Sequence, residues 1–393
     1  MSRLEDCLNI ADLRQAARRR LPWGIFDYID RGADDEIALK DNRRAFDRIR
    51  LRTQVMVPLD KPSLGATLFG KPCAMPYIIS PTGIAGLCCH QGELVLAKAA
   101  AARGIPVCMA TGSVTPMERL AQEAGGRLWF QLYMSREREL NYSVARRAHK
   151  AGYEALVVTV DTGFSPGGTR ENWQRTGFDN PFKLSRKSVV DLALHPGWLT
   201  RVILPYVLNT GFPRHENYPE GYRDSILPTP GKKKAARADD VTWDDVARLR
   251  DVWPGILIVK GILRVEDAVQ AVAHGADGIV VSNHGGRCMD SAIATIDALP
   301  PIAAEVGGRT TVLLDSGVRR GADIVKALAL GAKAVMSGRC TLYGVSAFGQ
   351  AGAEHALKLI EKEYQLTMGY AGCRSPDEVG PDVIAYRPQP IDG

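Results

Sequence analysis

Residues that could do chemistry recur after short apolar runs of this 393-residue chain. Lys260 follows one such run, His284 and Arg287 follow a second, and Asp315 follows a third. A histidine exchanges protons near neutral pH, a lysine stabilises negative charge, and an arginine binds a carboxylate through two parallel hydrogen bonds. Because a desolvated charge costs free energy unless it is paired or used, this set favours an enzyme over a protein that only binds a ligand.

The other apolar runs end in polar groups of the same kind. These groups are Thr82-Gly83, Thr111, Gln131 with Tyr133, Thr159 with Asp161, Ser282-Asn283, Arg319 and Gly338-Arg339. Two of them lie in the Gly-rich turns LDSGVRRG and SGRC, each followed by a predicted helix start. Backbone N–H groups at such turns bind anions, so the turns predict a phosphorylated ligand. The alternative is a pair of surface arginines in helix-capping turns.

The positions of the apolar runs predict the elements that carry these groups. The eight runs cover residues 75–83, 106–112, 128–133, 155–161, 256–261, 278–286, 311–317 and 334–339, with helical periodicity between most of them. Continuous apolar runs are typical of strands buried on both faces of a parallel sheet. Eight strand–helix units predict one (β/α)8 TIM barrel of the α/β class over residues 1–393, with the strand ends meeting at one mouth. A doubly wound sheet is disfavoured because no G-x-G-x-x-G turn follows the first run.

Two segments fall outside this repeat. Residues 1–74 precede the first strand and predict capping helices, broken at Leu21-Pro22 and Gly32. Residues 182–238 form an insertion after the fourth strand that is too long for an ordinary loop of a compact barrel. We therefore expect this insertion to have a function of its own.

The net charge of +6 is concentrated in that insertion. Residues 182–238 hold ten Lys and Arg against four acidic residues, a surplus of six, so the rest of the chain is neutral. Apolar residues such as Trp198, Leu204 and Phe212 suit a segment at a membrane interface better than an arm that tracks nucleic acid. We expect an anionic membrane surface, and no nucleic acid, as a partner. The alternatives are a solvated basic loop, a lid or an oligomer contact.

Composition limits the class of protein. With 45% hydrophobic and 24% charged residues, the chain resembles an ordinary soluble globular protein. No apolar run is long enough to span a bilayer, and the sequence MSRLEDCLNI lacks the apolar centre of a secretory leader, so an intracellular protein is expected. The eight cysteines form no C-x-x-C pair, and Cys88-Cys89-His90 has no second ligand group at the right spacing. Reduced thiols and no metal are expected.

Six spaced motifs are similar to those of the FMN-dependent L-2-hydroxy acid dehydrogenase/oxidase family. They are FDYIDRGADDE (26–36), FQLY (130–133), TVD (159–161), VKG (259–261), SNHGGR (282–287) and LDSGVRRG (314–321). The resemblance extends from about residue 8 to residue 375. Three further segments, HPGW (195–198), RDVW (250–253) and TLYGVSAFGQAG (341–352), resemble the membrane-associated bacterial mandelate and L-lactate dehydrogenases.

The resemblance implies FMN as the cofactor. The residues implied to bind it are Pro81, Thr82, Gly83, Thr111, Gln131, Thr159, Lys260, Ser282, Asp315, Gly317, Arg319, Gly338 and Arg339. By the same resemblance, the phosphate would lie near Arg319 and Arg339, the ribityl chain near Asp315, and the N1/O2 edge of the ring near Lys260. A fixed ammonium at that edge would stabilise the anionic reduced flavin.

The resemblance also implies a set of residues at the substrate. They are His284, Asp161, Lys260 and Tyr133 for catalysis, and Tyr28, Tyr133, Arg287 and Arg170 for binding. His284 would take the hydroxyl proton as the α-hydrogen leaves toward flavin N5, and Asp161 would pair with His284. The two arginines would bind the carboxylate. From the residues alone, Tyr28 remains open as a core aromatic and Asp161 as a helix N-cap.

Departures from the family pattern concern the carboxylate site. The segment between Asp161 and Arg170 is two residues longer than usual, Thr176-Gly177-Phe178 stands in place of Asn-Arg-Phe, and Cys288 stands in place of Gln. We therefore expect the loop that carries Arg170 to be rebuilt.

Gly83 and Gly112 bear on the choice of substrate. Both stand where many oxidases of the family carry larger residues, so the pocket over the flavin is expected to be enlarged. An enlarged pocket favours an aromatic or branched 2-hydroxy acid such as mandelate, with lactate as the alternative.

The acceptor, assembly and location follow from the insertion and the family. The basic, apolar insertion indicates a membrane quinone as the electron acceptor, with O2 as the alternative. The family implies a homotetramer, here expected in the cytoplasm on the inner face of the cell membrane. Two other classes stay open: another FMN-barrel enzyme such as a flavin-dependent isomerase, which would lack the His284 and Arg287 pair, and a non-catalytic ligand-binding barrel.

Overall fold

The structure is a computed structural model that describes residues 3–58, 61–163, 176, 185–226 and 235–386. In chain order its strands are β1 (Arg50–Leu51), β2 (Ala66–Leu68), β3 (Lys71–Cys73), β4 (Tyr77–Ile79), β5 (Val107–Ala110), β6 (Leu128–Tyr133), β7 (Ala155–Thr159), β8 (Ile256–Ile262), β9 (Gly278–Val281), β10 (Thr311–Leu314), β11 (Ala334–Ser337) and β12 (Ile384–Tyr386). Strands β4 to β11 pair in parallel in chain order, and β11 pairs with β4. The eight strands therefore close a barrel, which confirms the predicted (β/α)8 fold.

The register of the strands places the polar residues at the strand ends at the same height in the barrel. Ala110 lies opposite Gln131, Tyr133 lies opposite Thr159, and Thr159 lies opposite Lys260. Strand β7 is buried along its whole length, as expected of a continuous apolar run covered on both faces. The barrel therefore holds these side chains at its carboxyl-terminal mouth.

Several strands end earlier than the apolar runs predicted. Strand β9 ends at Val281, because the residues His284, Gly285 and Gly286 have φ angles of 57°, 69° and 71°. These left-handed conformations cannot belong to a strand. His284 therefore lies in a loop beyond β9 rather than in the strand.

Helices surround the barrel and also form most of the additions to it. The α-helices are Ile10–Arg20, Trp23–Asp30, Ile37–Arg48, Ala85–Cys88, Gly92–Ala102, Met117–Ala124, Arg138–Lys150, Arg186–Leu194, Pro196–Trp198, Leu204–Asn209, Trp243–Val252, Val265–Ala273, Thr295–Val306, Gly321–Ala329 and Arg339–Tyr370. A π-helical turn, Leu199–Ile203, joins two of them. The last helix is kinked at Phe348 and Gly349.

The N-terminal segment covers part of the barrel with three helices. The first ends at Arg20 and the second begins at Trp23, so the predicted break at Leu21-Pro22 is present. The remainder of the segment holds β1 and the β2–β3 hairpin, which the helical prediction did not include. Ala33 N–H donates to the carbonyl of Gly286 at 2.7 Å, so this segment contacts the loop that carries His284.

The insertion packs one face on the barrel and exposes another. Trp198 Nε1 donates to the carbonyl of Leu87 at 2.7 Å, and the Tyr206 hydroxyl accepts from Gln91 N–H at 2.9 Å. In the described part of the insertion, large apolar side chains are exposed at Val189, Val190, Leu194, Leu204, Val207, Leu208 and Phe212. Within the described ranges, no helix is both long and apolar enough to cross a membrane.

Candidate active site

The carboxyl ends of the barrel strands open into a cavity of ≈ 910 Å³. This volume is typical of sites for small molecules and cofactors. The residues that the sequence predicted and that line the cavity are Tyr28, Pro81, Thr82, Gly83, Gln131, Tyr133, Thr159, Lys260, His284, Arg287, Asp315, Gly317, Arg319, Gly338 and Arg339. Three others, Thr111, Asp161 and Ser282, lie behind the wall and contact lining residues. Arg170 lies outside the described residues.

His284 is held between a carboxylate and a phenol. Its Nδ1 donates to Asp161 Oδ1 at 2.9 Å, and its Nε2 lies 3.3 Å from the hydroxyl of Tyr133. Because Nδ1 is engaged by the carboxylate, Nε2 is the nitrogen that can exchange a proton in the cavity. This arrangement is that of a general base with an orienting carboxylate.

The charges around His284 favour its protonated form. Burial lowers the pKa of His284, but the charges of Asp161 and Tyr133 act together against burial, and the net pKa is well above the ordinary value. Burial raises the pKa of Asp161, but the charges of His284 and Lys260 bring it below the ordinary value. Asp161 Oδ2 is buried and has no hydrogen-bond partner among the described residues. The carboxylate therefore acts mainly on the imidazole.

Lys260 places a buried positive charge at the end of β8. Its Nζ donates to Ser282 Oγ at 2.8 Å and lies 3.2 Å from Asp315 Oδ2. Burial lowers the pKa of Lys260, but the carboxylates of Asp315 and Asp161 raise it, and the net pKa is above the ordinary value. Lys260 is thus a fixed cation beside the cavity.

A chain of hydrogen bonds fixes the polar wall formed by β5, β6 and β7. Gln131 Nε2 donates to Thr159 Oγ1 at 3.0 Å, and Gln131 Oε1 accepts from Thr111 N–H at 3.3 Å. Thr111 Oγ1 donates to the carbonyl of Gln131 at 2.6 Å and accepts from Tyr133 N–H at 3.2 Å. Thr111 therefore supports the wall, whereas Gln131 and Thr159 face the cavity.

Arg287 and Tyr28 form the side of the cavity near the N-terminal helices. Arg287 Nη1 donates to the carbonyls of Tyr28 and Arg31, at 2.7 and 3.1 Å. The guanidinium carbon lies 5.2 Å from the centre of the Tyr28 ring, a cation–π contact. The remaining N–H groups of this planar fork are suited to a carboxylate.

The end of the cavity near β10 and β11 is cationic. Arg319 and Arg339 both line it. Arg339 donates to the carbonyls of Ile29, Gly285 and Arg31 at 2.9–3.0 Å. Burial lowers the pKa of Arg339 to about 10, because it removes the positive charge from water. An anion at this end would relieve that cost.

The insertion supplies lining residues that the sequence analysis did not predict. His215, Tyr218, Tyr222 and Arg237 all line the cavity. His215 Nδ1 lies 3.1 Å from the carbonyl of Gly112, one of the two glycines expected to widen the pocket. The signal in the sequence was the unusual length of the insertion, which marked it as functional but did not show that it reaches the barrel mouth.

A cluster that could bind a metal was also missed. The ligand atoms of Asp161, His284 and Cys288 lie within 4.8 Å of one another. Two of these groups already form the hydrogen bond between His284 and Asp161. The carboxylate of Asp161 and Nδ1 of His284 are therefore engaged with each other.

Comparison with known proteins decides which barrel family has this site. The profile of the FMN-dependent dehydrogenases matches residues 17–386. The chain belongs to the FMN-dependent dehydrogenase family. Its cofactor is therefore FMN, and the protein is an oxidoreductase.

Individual FMN-dependent dehydrogenases are similar to the chain along almost its whole length. The (S)-mandelate dehydrogenase of Pseudomonas putida is 38% identical over 380 residues, which cover 97% of this chain and 94% of the relative. An L-lactate dehydrogenase of Pectobacterium atrosepticum is 39% identical over 386 residues, covering 97% and 98%. The crystal structure of the monotopic membrane protein (S)-mandelate dehydrogenase has a TM-score of 0.87 at 36% identity, covering 97% of this chain and 99% of that one.

The cavity of this FMN-dependent dehydrogenase fits FMN in space and in chemistry. Gly317 has a φ of 88°, and a Cβ there would lie 2.7 Å from the carbonyl oxygen of Asn42. A Cβ at Gly338 would lie 2.8 Å from Thr82 Cγ2. These two glycines therefore allow the close packing of the chain around the cationic end, where Arg319 and Arg339 would hold the phosphate. Gln131 and Lys260 would hold the polar edge of the ring.

Proposed function

We propose that this FMN-dependent dehydrogenase oxidises an L-2-hydroxy acid to the 2-oxo acid. The observation that carries the proposal is the hydrogen bond between His284 and Asp161 at the edge of a cavity that Lys260 and Arg287 also line. The names of the relatives, (S)-mandelate dehydrogenase and L-lactate dehydrogenase, support this class of substrate.

His284 is the proposed base. The substrate hydroxyl gives its proton to Nε2 of His284, while the α-hydrogen leaves with its electron pair. Asp161 holds the Nδ1–H and stabilises the imidazolium that forms. The Tyr133 hydroxyl, 3.3 Å from Nε2, orients the substrate hydroxyl. Bound FMN would supply the acceptor for the hydride.

Lys260 and the proposed cofactor-binding residues would hold FMN, which is the other reactant. The Lys260 ammonium is fixed by Ser282 and Asp315, so it is preorganised to stabilise negative charge at the edge of the ring. Arg319 and Arg339 would bind the FMN phosphate through their positive charges. These assignments rest on the chemistry of the side chains and on their shared cavity.

Arg287 and Tyr28 bind the substrate carboxylate in this proposal. Two backbone carbonyls fix one nitrogen of Arg287, which leaves the rest of the fork for the ligand. We also retain Arg170 as a proposed carboxylate ligand.

Gly83 and Gly112 support a mandelate-like or branched substrate. A Cβ added to Gly83 would lie 3.4 Å from the Tyr28 hydroxyl and 4.0 Å from the Gly112 carbonyl oxygen. The absence of both side chains therefore leaves room next to a substrate-binding tyrosine. Lactate is the smaller alternative.

The outer face of the insertion supports binding to a membrane and a quinone acceptor. Leu194 and Leu208 are each 73% exposed, and Arg201 lies on the same insertion. Exposed apolar and basic groups together are typical of interfacial binding to anionic lipid. The related (S)-mandelate dehydrogenase is described as a monotopic membrane protein. We propose the cytoplasmic face of the cell membrane as the location, and a homotetramer remains a prediction from the family.

Anaerobic flavin reduction tests the proposed reaction. The holoenzyme would be mixed with the L and D forms of mandelate, lactate and a branched 2-hydroxy acid, and the visible flavin absorbance followed. We expect bleaching by L forms only, and faster reoxidation by a quinone analogue than by O2. A holoenzyme that no 2-hydroxy acid reduces would contradict the proposal, and rapid peroxide formation would assign the protein to the oxidases.

A further inference from the structure

Arg237 is a cation at the cavity mouth that has no ion-pair partner among the residues the structure describes. Its guanidinium carbon lies 4.2 Å from the centre of the Tyr133 ring. Within the part of the chain that the structure describes, no carboxylate oxygen lies within 4.0 Å of its nitrogens, and its side chain donates no hydrogen bond. Asp239, two residues further on, is paired with Arg136 at 2.6 Å. With respect to the described residues, the Arg237 donors are therefore candidates for binding a ligand.

Backbone pairing fixes Arg237 in this position. Arg237 forms an antiparallel bridge with Ser135, just beyond the end of β6. Arg136 N–H donates to the carbonyl of Ala236 at 3.0 Å, and Ala238 N–H donates to the carbonyl of Met134 at 2.9 Å. The end of the insertion is thus attached to the strand that carries Tyr133, so the guanidinium is held over the ring rather than on a free loop.

Arg237 lies beside residues that are proposed to bind the substrate. The Tyr133 ring under the guanidinium carries the hydroxyl that contacts His284 Nε2 at 3.3 Å. Burial raises the pKa values of Tyr28 and Tyr218 and lowers that of His215, and the charge of Arg237 also acts on all three groups. The guanidinium therefore lies among the aromatic side chains of this wall, next to the proposed proton acceptor.

We propose that Arg237 binds the substrate carboxylate together with Arg287. The proposal rests on the proposed function and adds a ligand that comes from the insertion. A substrate whose hydroxyl contacts His284 and Tyr133 has its carboxylate one bond away from the reacting carbon. A guanidinium over Tyr133 can then reach that carboxylate from the mouth, while Arg287 reaches it from the side of Tyr28. Because Arg237 is exposed, its contribution decreases as salt screens it.

Binding of unreactive carboxylates to the holoenzyme tests this assignment. Phenylacetate, propionate and their neutral amides lack the hydroxyl and can be titrated by the change in flavin absorbance. We expect Arg237→Met to lower the affinity for both carboxylates by about 10- to 100-fold and the affinity for the amides by less than about twofold. A loss of this size is expected when a charge-assisted hydrogen bond is removed. Arg237→Lys should recover part of the loss, and high salt should reduce the difference.

Arg136→Met is the matched control, because Arg136 also lines the mouth but is already paired with Asp239. Arg136→Met should leave the affinity for both carboxylates unchanged. Equal weakening of acids and amides by Arg237→Met, or no weakening, would overturn the proposal. A loss of affinity for the dicarboxylate succinate alone would also overturn the proposal, because Arg237 would then recognise a second anionic group. These titrations need no turnover, so they are separate from the flavin reduction that tests the function.

Discussion

The imidazole of His284 donates from Nδ1 to Asp161 Oδ1 at 2.9 Å, although the two residues lie in loops after different strands, β9 and β7. His284 has a positive φ, and its side chain reaches Asp161 beyond β7 although β8 lies between β7 and β9. The pair therefore depends on the barrel for its distance and on the HGG turn for its orientation. It fixes the tautomer of the imidazole and raises its affinity for a proton.

Replacement of Asp161 tests the effect of this carboxylate on pH dependence. The base must be unprotonated to act, so kcat/KM should fall as the pH falls through the raised pKa of His284. In Asp161→Asn the raising charge is lost, so this decrease should move to lower pH, and the maximum rate should fall by about 10²-fold or more. Asp239→Asn is the control, since that exposed carboxylate pairs with Arg136. An unchanged pH profile in Asp161→Asn would contradict the assigned pairing.

A second prediction concerns Lys260 and Asp315, both of which are buried. Lys260→Met leaves a buried carboxylate without its cation, which should lower the free energy of unfolding by about 3–5 kcal/mol. The double variant Lys260→Met with Asp315→Asn should recover much of this loss, because no charge is then left uncompensated. Thermal or urea unfolding of the two single variants, Lys260→Met and Asp315→Asn, and of the double variant measures the coupling. Additive losses would show that the pair does not interact.

Gly83 is predicted to set the size of substrate that the pocket accepts. The added Cβ of Gly83→Ala would lie 3.4 Å from the Tyr28 hydroxyl, which reduces the space next to the substrate side chain. We expect kcat/KM for mandelate to fall by roughly 10-fold, and that for lactate to change much less. The ratio of the two values is the measurement. An equal effect on both substrates would show that the side chain does not lie against Gly83.

Membrane binding is predicted to depend on exposed apolar residues of the insertion. Replacement of Leu204, Leu208 and Phe212 by Gln should reduce co-sedimentation with anionic liposomes by roughly 10-fold or more, because their apolar area no longer leaves water. Flavin reduction should persist. Leu366→Gln and Tyr370→Gln, at exposed apolar sites outside the insertion, form the control. Equal sedimentation of both variants and the wild type would make this face an oligomer contact or a lid.

Much of the barrel and of its mouth could be predicted from the sequence, since a strand buried on both faces is written as a continuous apolar run. The polar residue that follows each run then lies at the mouth, as His284 and Lys260 do. The pattern of apolar residues could not show where each strand ends, because it does not report the backbone φ angles at which a strand stops. It also could not separate Gln131, which faces the cavity, from Thr111, which supports it from behind.

The contribution of the insertion to the site was not predictable from pattern. His215, Tyr218 and Arg237 reach the cavity through tertiary contacts, such as the bridge between Arg237 and Ser135. No repeat or strand pattern marks these residues. The insertion therefore forms part of the cavity wall as well as an exposed outer face.

The rate of anaerobic flavin reduction in His284→Ala tests the central claim most directly. The variant should keep bound FMN, because His284 acts on the substrate rather than on the cofactor-binding groups. It should be reduced by an L-2-hydroxy acid at least ~10²-fold more slowly than the wild-type holoenzyme, the low end of the loss expected when a general base is removed. Reduction at near the wild-type rate, with FMN bound, would contradict the assignment of His284 as the base.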